Sequence, residues 1–157
     1  MGEIKAEYVN AFIMASHSLL TQMCMIPEIK VGKPTLKEAK FPDDTSVIIV
    51  GLTGDIMGHV MLVFPHAVAL DIISKMTMMP MTEIDDLGIS AISELGNMIM
   101  GNASTLLSGQ NVLIDITPPN YCSGNSLSFS GAGKNIAVPL VYEGDKAVEI
   151  NLELKVK

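Results

Sequence analysis

Ser90-Ala91-Ile92-Ser93-Glu94-Leu95-Gly96-Asn97-Met98-Ile99-Met100-Gly101 sets the frame for the whole chain. At about 100° of rotation per residue, Ile92, Leu95, Ile99, Ala103 and Leu106 fall on one side of a helix, and Ser90, Glu94, Asn97, Gly101 and Ser108 on the other. The first side is a core face. The second is unusually bare, because a solvated helix face ordinarily carries long charged side chains, and no Lys or Arg occurs between Lys75 and Lys134. Glycine inside a helix costs roughly 1 kcal/mol relative to alanine, so Gly96 and Gly101 around Asn97 mean that something gains from approaching the backbone. Spacing alone leaves open whether that neighbour is another element of this chain or a docked partner.

Working outward, Thr82 and Asp85 have capping-box character, and Glu83, Asp85 and Asp86 put negative charge in a first helical turn. A helix is therefore predicted from about Glu83 to Leu107, its early acids serving the helix start and not a catalytic carboxylate pair. Upstream, Ala67 to about Met78 has helical spacing, with Pro65 before it and Pro80 ending it. Ser46 to Leu52 and Ile56 to Phe64 read as a hairpin around Thr53-Gly54-Asp55. Gly51-Leu52-Thr53-Gly54 lacks the Gly-Lys-Ser/Thr ending of a phosphate loop. Near the N-terminus, Tyr8, Ala11, Phe12, Ala15, Leu19 and Met23 give a helix from Glu3 to about Met25. Residues 32–42, with Pro34 and Pro42, suit a connector with one irregular edge strand.

Downstream, strands are predicted at Val112 to Ile116, Leu127 to Ser130, Asn135 to Tyr142 and Lys146 to Val156. The last alternates Ala147, Glu149, Asn151, Glu153 and Lys155 against Val148, Ile150, Leu152, Leu154 and Val156, the signature of a sheet with one wet face. The order of elements gives an α+β fold, a mostly antiparallel sheet with three main helices layered on it.

At 157 residues with 48% hydrophobic content, the chain is long enough for one well-filled core, and residues 1–157 are expected to form a single domain. A formal charge of −7 and no cluster of cations argue against nucleic acid. An acidic or phosphorylated partner would have to bring its own cations. No apolar run approaches the roughly 20 residues of a membrane span, and Met1-Gly2-Glu3-Ile4-Lys5 lacks the order of a signal peptide, so a cytoplasmic protein without membrane association is expected. Cys24 and Cys122 stand far apart without metal-ligand spacing and are expected to be buried thiols, with no metal site. His17, His59 and His66 lie in three different elements without a nucleophile signature. The twelve Met are assigned mainly to core filling.

Ser90-x-x-x-Glu94-x-x-Asn97, with Glu94-Leu95-Gly96-Asn97 at its centre and Asp115-Ile116-Thr117-Pro118-Pro119 after it, resembles the CheC, CheX and FliY phosphatases of bacterial chemotaxis. Gly51-Leu52-Thr53-Gly54 and Asn10-Ala11-Phe12 add to a likeness that covers nearly the whole chain. One active motif, where CheC-like members often carry two, places it with the CheX group. The resemblance implies an aspartyl-phosphate phosphatase acting on a phosphorylated CheY-like receiver domain. In it Asn97 would position the attacking water and Glu94 would pair with a receiver lysine. Gly96 and Gly101 would give clearance for docking and Ser90 would shape the entrance. No cofactor of its own is implied, since Mg²⁺ would sit on the receiver domain, and a homodimer joined through sheet edges is implied. The alternative is a non-catalytic adaptor of the same fold that binds a receiver domain or a flagellar-switch component.

Overall fold

The computed structural model describes residues 4–129 and 135–157. Helix α1 spans Ala6–Cys24, burying Val9, Phe12, Leu19 and Leu20, and ends where Met25 turns left-handed at φ 52°. Short strands β1 (Lys30–Val31), β2 (Thr35–Lys37) and β3 (Ala39–Phe41) follow. The long hairpin comes next, β4 (Thr45–Gly54) and β5 (Ile56–Pro65), in register from Thr45↔Pro65 to Leu52↔Gly58. Its turn needs Gly54, whose φ of 109° few side chains tolerate. Helices α2 (His66–Thr77) and α3 (Asp86–Ser108) lead to β6 (Ile114–Ile116), β7 (Asn120–Gly124), β8 (Leu127–Phe129), β9 (Asn135–Tyr142) and β10 (Lys146–Val156). Glu3 and Ser130, placed by sequence in the first helix and in the strand at Leu127, lie outside the described residues.

The main sheet runs β1-β9-β10-β5-β4-β6, with β2 also on β9 and β7 also on β4. Its described pairings are antiparallel. The three helices cover one face, so the predicted α+β architecture is the observed one. Ile48, Val50, Leu62, Phe64, Val138, Leu140 and Ile150 of the sheet meet Phe12, Ile72, Ile92, Leu95 and Ile99 of the helices in one core cluster. Each such side chain contributes about 1.5–3 kcal/mol when fully buried.

The opposite face departs from expectation. It is not simply wet, because β3 and β8 pair into a two-stranded ribbon, and Ala39 and Phe41 cover Val47, Met61 and Val63 there. The reason is legible in the middle of β4 and β5: Val47, Ile49, Met61 and Val63 on one face are apolar as well as Ile48, Val50, Leu62 and Phe64 on the other, so both faces demand cover. Asn151, read as a wet-face residue, is fully buried and accepts a hydrogen bond from Asn135 Nδ2 at 2.6 Å. Strand β7 was not anticipated, since Asn120-Tyr121-Cys122-Ser123-Gly124 has weak strand character, and it forms because β4 offers a free edge.

The methionines divide. Met61 and Met100 are fully buried, but Met14, Met25, Met57, Met78 and Met79 are exposed, so core filling accounts for fewer of them than expected. Cys24 is buried and its thiol is pushed up to about 12 by that burial, whereas Cys122 is only half-buried.

Candidate active site

Helix α3 starts at its own cap. Asp85 has an extended backbone and its Oδ1 accepts from the Gly88 N–H at 2.8 Å, satisfying one of the otherwise unpaired first-turn donors. The helix thus begins three residues later than the Thr82 reading placed it. From there the 3.6-residue period decides the rest: Ile92, Leu95, Ile99 and Ala103 are buried, and Ser90, Glu94 and Asn97 are exposed along one stripe.

The two glycines part company. Gly96 is buried and faces strand β4, where an added Cβ would stand 2.7 Å from Ile48 Cγ2. It does not belong to the exposed stripe: its missing side chain lets α3 sit close on the sheet of its own chain. An added Cβ at Gly101 would meet nothing within 4 Å, so this position does keep the outer stripe bare.

A second wall faces the stripe. Strand β6 pairs with Leu52 to Gly54 of β4, and β7 pairs with Thr45 to Ile49. Between them Val50 and Gly51 oppose three residues, Thr117, Pro118 and Pro119, which is a β-bulge on the sheet edge. Neither proline has an N–H for the ladder, so the chain must leave the edge here. It rises beside α3. The result is a groove of about 500 Å³ between Ser90, Ser93, Glu94 and Asn97 on the helix and residues 116–119 on the bulge. The fold therefore unites the two segments quoted for the resemblance, Ser90 to Asn97 and Asp115 to Pro119. Ser93, one turn before Asn97, was not singled out by sequence, although its i−4 spacing was the available signal.

The groove's electrostatics are one-sided. Residues 76–133 contain Glu83, Asp85, Asp86, Glu94 and Asp115 and no Lys or Arg. None of the ion pairs among the described residues involves Glu94. An exposed carboxylate with no ion-pair partner among the described residues, beside a neutral amide, suits a partner that brings a cation.

Other polar clusters serve the fold. Tyr142 Oη donates to Asp71 Oδ2 at 2.7 Å, and Lys75 Nζ bridges Asp71 Oδ1 at 3.1 Å and Glu143 Oε2 at 3.0 Å. Burial alone would raise the Asp71 carboxyl, but the hydrogen bonds from Tyr142 and Lys75 outweigh it and hold the group below the usual carboxylate range. The Tyr142 hydroxyl is pushed up by burial and by its bond to Asp71. These groups are committed to one another, tying α2 to the β9–β10 turn. His59 and His66 each stand 3.5 Å from a carboxylate, of Glu153 and Asp44 respectively, and neither lines the groove. Among the described residues no group of three His, Cys, Asp or Glu is placed to hold a metal ion, and no helix is long and apolar enough to cross a membrane.

Residues 46–141 match the family model described as chemotaxis phosphatase CheX. The chain belongs to the CheX family. The matched span runs from β4 to β9 and so includes both walls of the groove. Over 152 residues the chain is 32% identical to the CheY-P phosphatase CheX of Thermotoga maritima, an alignment covering 96% of this chain and 97% of that one. Among solved structures, it is similar to CheX in the CheX–CheY–BeF3–Mg²⁺ complex from Borrelia burgdorferi, with TM-score 0.82, 29% identity, and coverage of 94% of this chain and 97% of that one. A CheC-like superfamily protein from Shewanella sp. PV-4 is similar with TM-score 0.83 and 26% identity, covering 97% of this chain and 99% of that one. The CheX-family fold is thus shared over nearly the full chain.

Proposed function

We propose that this CheX-family protein is a hydrolase that removes the phosphoryl group from the phospho-aspartate of a CheY-type receiver domain. The observation that carries the reading is the groove itself, which presents exposed Glu94 and Asn97 on one rigid helix face, opposite a proline wall, within a CheX-family chain. The Thermotoga relative is a CheY-P phosphatase, and the Borrelia relative is seen with CheY, BeF3 and Mg²⁺.

In this reading α3 lies across the receiver's phosphorylated site. The Asn97 carboxamide, which donates and accepts hydrogen bonds without titrating near neutral pH, holds a water in line with the phosphoryl group. The water oxygen bonds to phosphorus as the bond to the aspartyl oxygen breaks, giving a free carboxylate and inorganic phosphate, which retains the water's protons less those lost to solvent. Little covalent chemistry is required of the protein, so positioning suffices for a large acceleration. Glu94 pairs with a receiver lysine and fixes the register. Ser90 shapes the entrance and bare Gly101 allows close approach.

Glu94 is the one carboxylate among the groove residues, too small a donor set for a divalent cation, so the Mg²⁺ of the reaction is held by the receiver. One domain over residues 1–157 carries the activity. The homodimer implied by the family would join sheet edges, and light scattering at several concentrations tests it, a stable monomer being the contrary result.

The deciding experiment mixes the protein with a CheY-type receiver domain phosphorylated by acetyl phosphate and follows release of inorganic phosphate. Accelerated release supports the phosphatase. Saturable binding without acceleration supports the adaptor of the same fold instead.

A further inference from the structure

The bulge opposite Asn97 is held by an unusual pair of bonds. The Thr117 N–H donates to the Gly51 carbonyl at 3.0 Å, as a strand residue would. The return bond is different: the Gly51 N–H donates to the Thr117 side-chain Oγ1 at 2.8 Å, where a ladder would use a backbone carbonyl. The same hydroxyl donates to the Pro118 carbonyl at 3.2 Å. One side chain therefore substitutes for the ladder at the point where Pro118 and Pro119 can donate nothing.

Gly51 is part of the device. A Cβ there would come 3.1 Å from Thr117 Cγ2, tighter than ordinary contact, so glycine is what lets the threonine lie against β4. Without the hydroxyl, the bulge would keep its two covalent ends and one backbone bond, and the proline wall could take several positions. A groove of variable width must lose that freedom when a partner binds, and the loss appears in affinity before it appears in chemistry.

We infer that Thr117, clamped to Gly51, is a positioning residue for receiver docking: it presets the distance of the Pro118–Pro119 wall from Glu94 and Asn97. This rests on the phosphatase reading above. The reacting amide sits on α3, which the clamp does not touch, so loss of the clamp raises KM for the phosphorylated receiver by more than it lowers kcat.

The test uses the full chain with a receiver domain phosphorylated by acetyl phosphate. Thr117→Val, which keeps the shape and removes the hydroxyl, raises KM about ten-fold, the equivalent of one or two hydrogen bonds. Thr117→Ser restores the wild-type KM because it keeps the oxygen. Gly51→Ala also raises KM, and adding Thr117→Ser to it restores KM by deleting the methyl that the new Cβ meets. In parallel, hydrogen exchange of the Gly51 amide accelerates about ten-fold in Thr117→Val and not in Thr117→Ser. An active wild type whose Thr117→Val variant keeps its KM, or whose Thr117→Ser variant behaves like Thr117→Val, overturns the clamp. A wild type that never accelerates phosphate release overturns the phosphatase reading and this inference with it, even where the exchange rates behave as described.

Discussion

Gly96 packs so closely on Ile48 that a β-carbon added to it would stand 2.7 Å from Ile48 Cγ2, well inside contact distance. This approach, together with the burial of Ile92, Leu95 and Ile99, seats α3 on the sheet, and Glu94 and Asn97 emerge on the far side of the same helix. Gly96→Ala is therefore expected to destabilise the protein by about 1–3 kcal/mol through overpacking, despite a helix-propensity gain of roughly 1 kcal/mol. Gly101→Ala, which meets nothing within 4 Å, should instead gain up to about 1 kcal/mol. Urea denaturation of the two variants checks the contrast, and a stabilised Gly96→Ala would contradict it.

Gly101→Ala carries a second expectation. If a receiver domain presses on the bare stripe, the added methyl lifts it, and KM for the phosphorylated receiver should rise several-fold in a protein that has become more stable. Stability and affinity moving in opposite directions would separate docking clearance from folding.

Glu94→Ala should act on binding. Removing a charged partner from an interfacial pair costs about ten-fold in KM, with a smaller change in kcat at saturation. Because residues 76–133, which supply both walls of the groove, hold acids and no Lys or Arg, the wild-type KM should also rise with ionic strength, and less steeply once Glu94 is gone. Titrating salt against both proteins checks this, parallel salt dependences being the contrary result.

The Tyr142–Asp71 bond sets an acid response. The folded Asp71 carboxyl is held below its ordinary value, so it contributes stability that is present above the unfolded carboxylate pKa and is lost as pH falls through the folded one. Tyr142→Phe removes the 2.7 Å bond, should cost about 1–2 kcal/mol at neutral pH, and should flatten the stability loss on acidification below about pH 4. Thermal melts from pH 7 down to 2.5 read both effects.

Cys24, buried and with its thiol pushed up to about 12, should resist iodoacetamide at pH 8 in the native protein and react once urea unfolds it. Mass spectrometry of the tryptic peptides gives the answer. Native alkylation of Cys24 would mean that α1 opens locally.

Much of this arrangement is legible in the sequence. The long elements declared themselves because their periods are unambiguous: the hairpin Ser46 to Phe64, the core side of α3, and the β9–β10 pair around Glu143-Gly144-Asp145 all stand where pattern placed them. The exposure of Ser90, Glu94 and Asn97 followed from helical geometry alone. What failed had physical reasons. Two glycines flanking Asn97 look alike in sequence, so both read as docking clearance, although Gly96 belongs angularly with Leu95 on the buried side. Strand β7 depends on an edge supplied by β4, a tertiary fact that Tyr121 and Cys122 do not announce. The ribbon over Val47, Met61 and Val63 likewise arises from pairing between β3 and β8, distant in sequence. The groove's second wall could be named as a segment but not positioned, because its position depends on the bond between Thr117 and Gly51, 66 residues apart.

Asn97→Ala is the sharpest single test. It removes one exposed carboxamide from α3 and leaves the core side of that helix untouched. Phosphate release from a CheY-type receiver domain, measured at saturating variant, should fall to the receiver's own spontaneous rate while the thermal transition and receiver binding persist. Accelerated release that survives Asn97→Ala in a folded, receiver-bound protein would contradict the account at its centre.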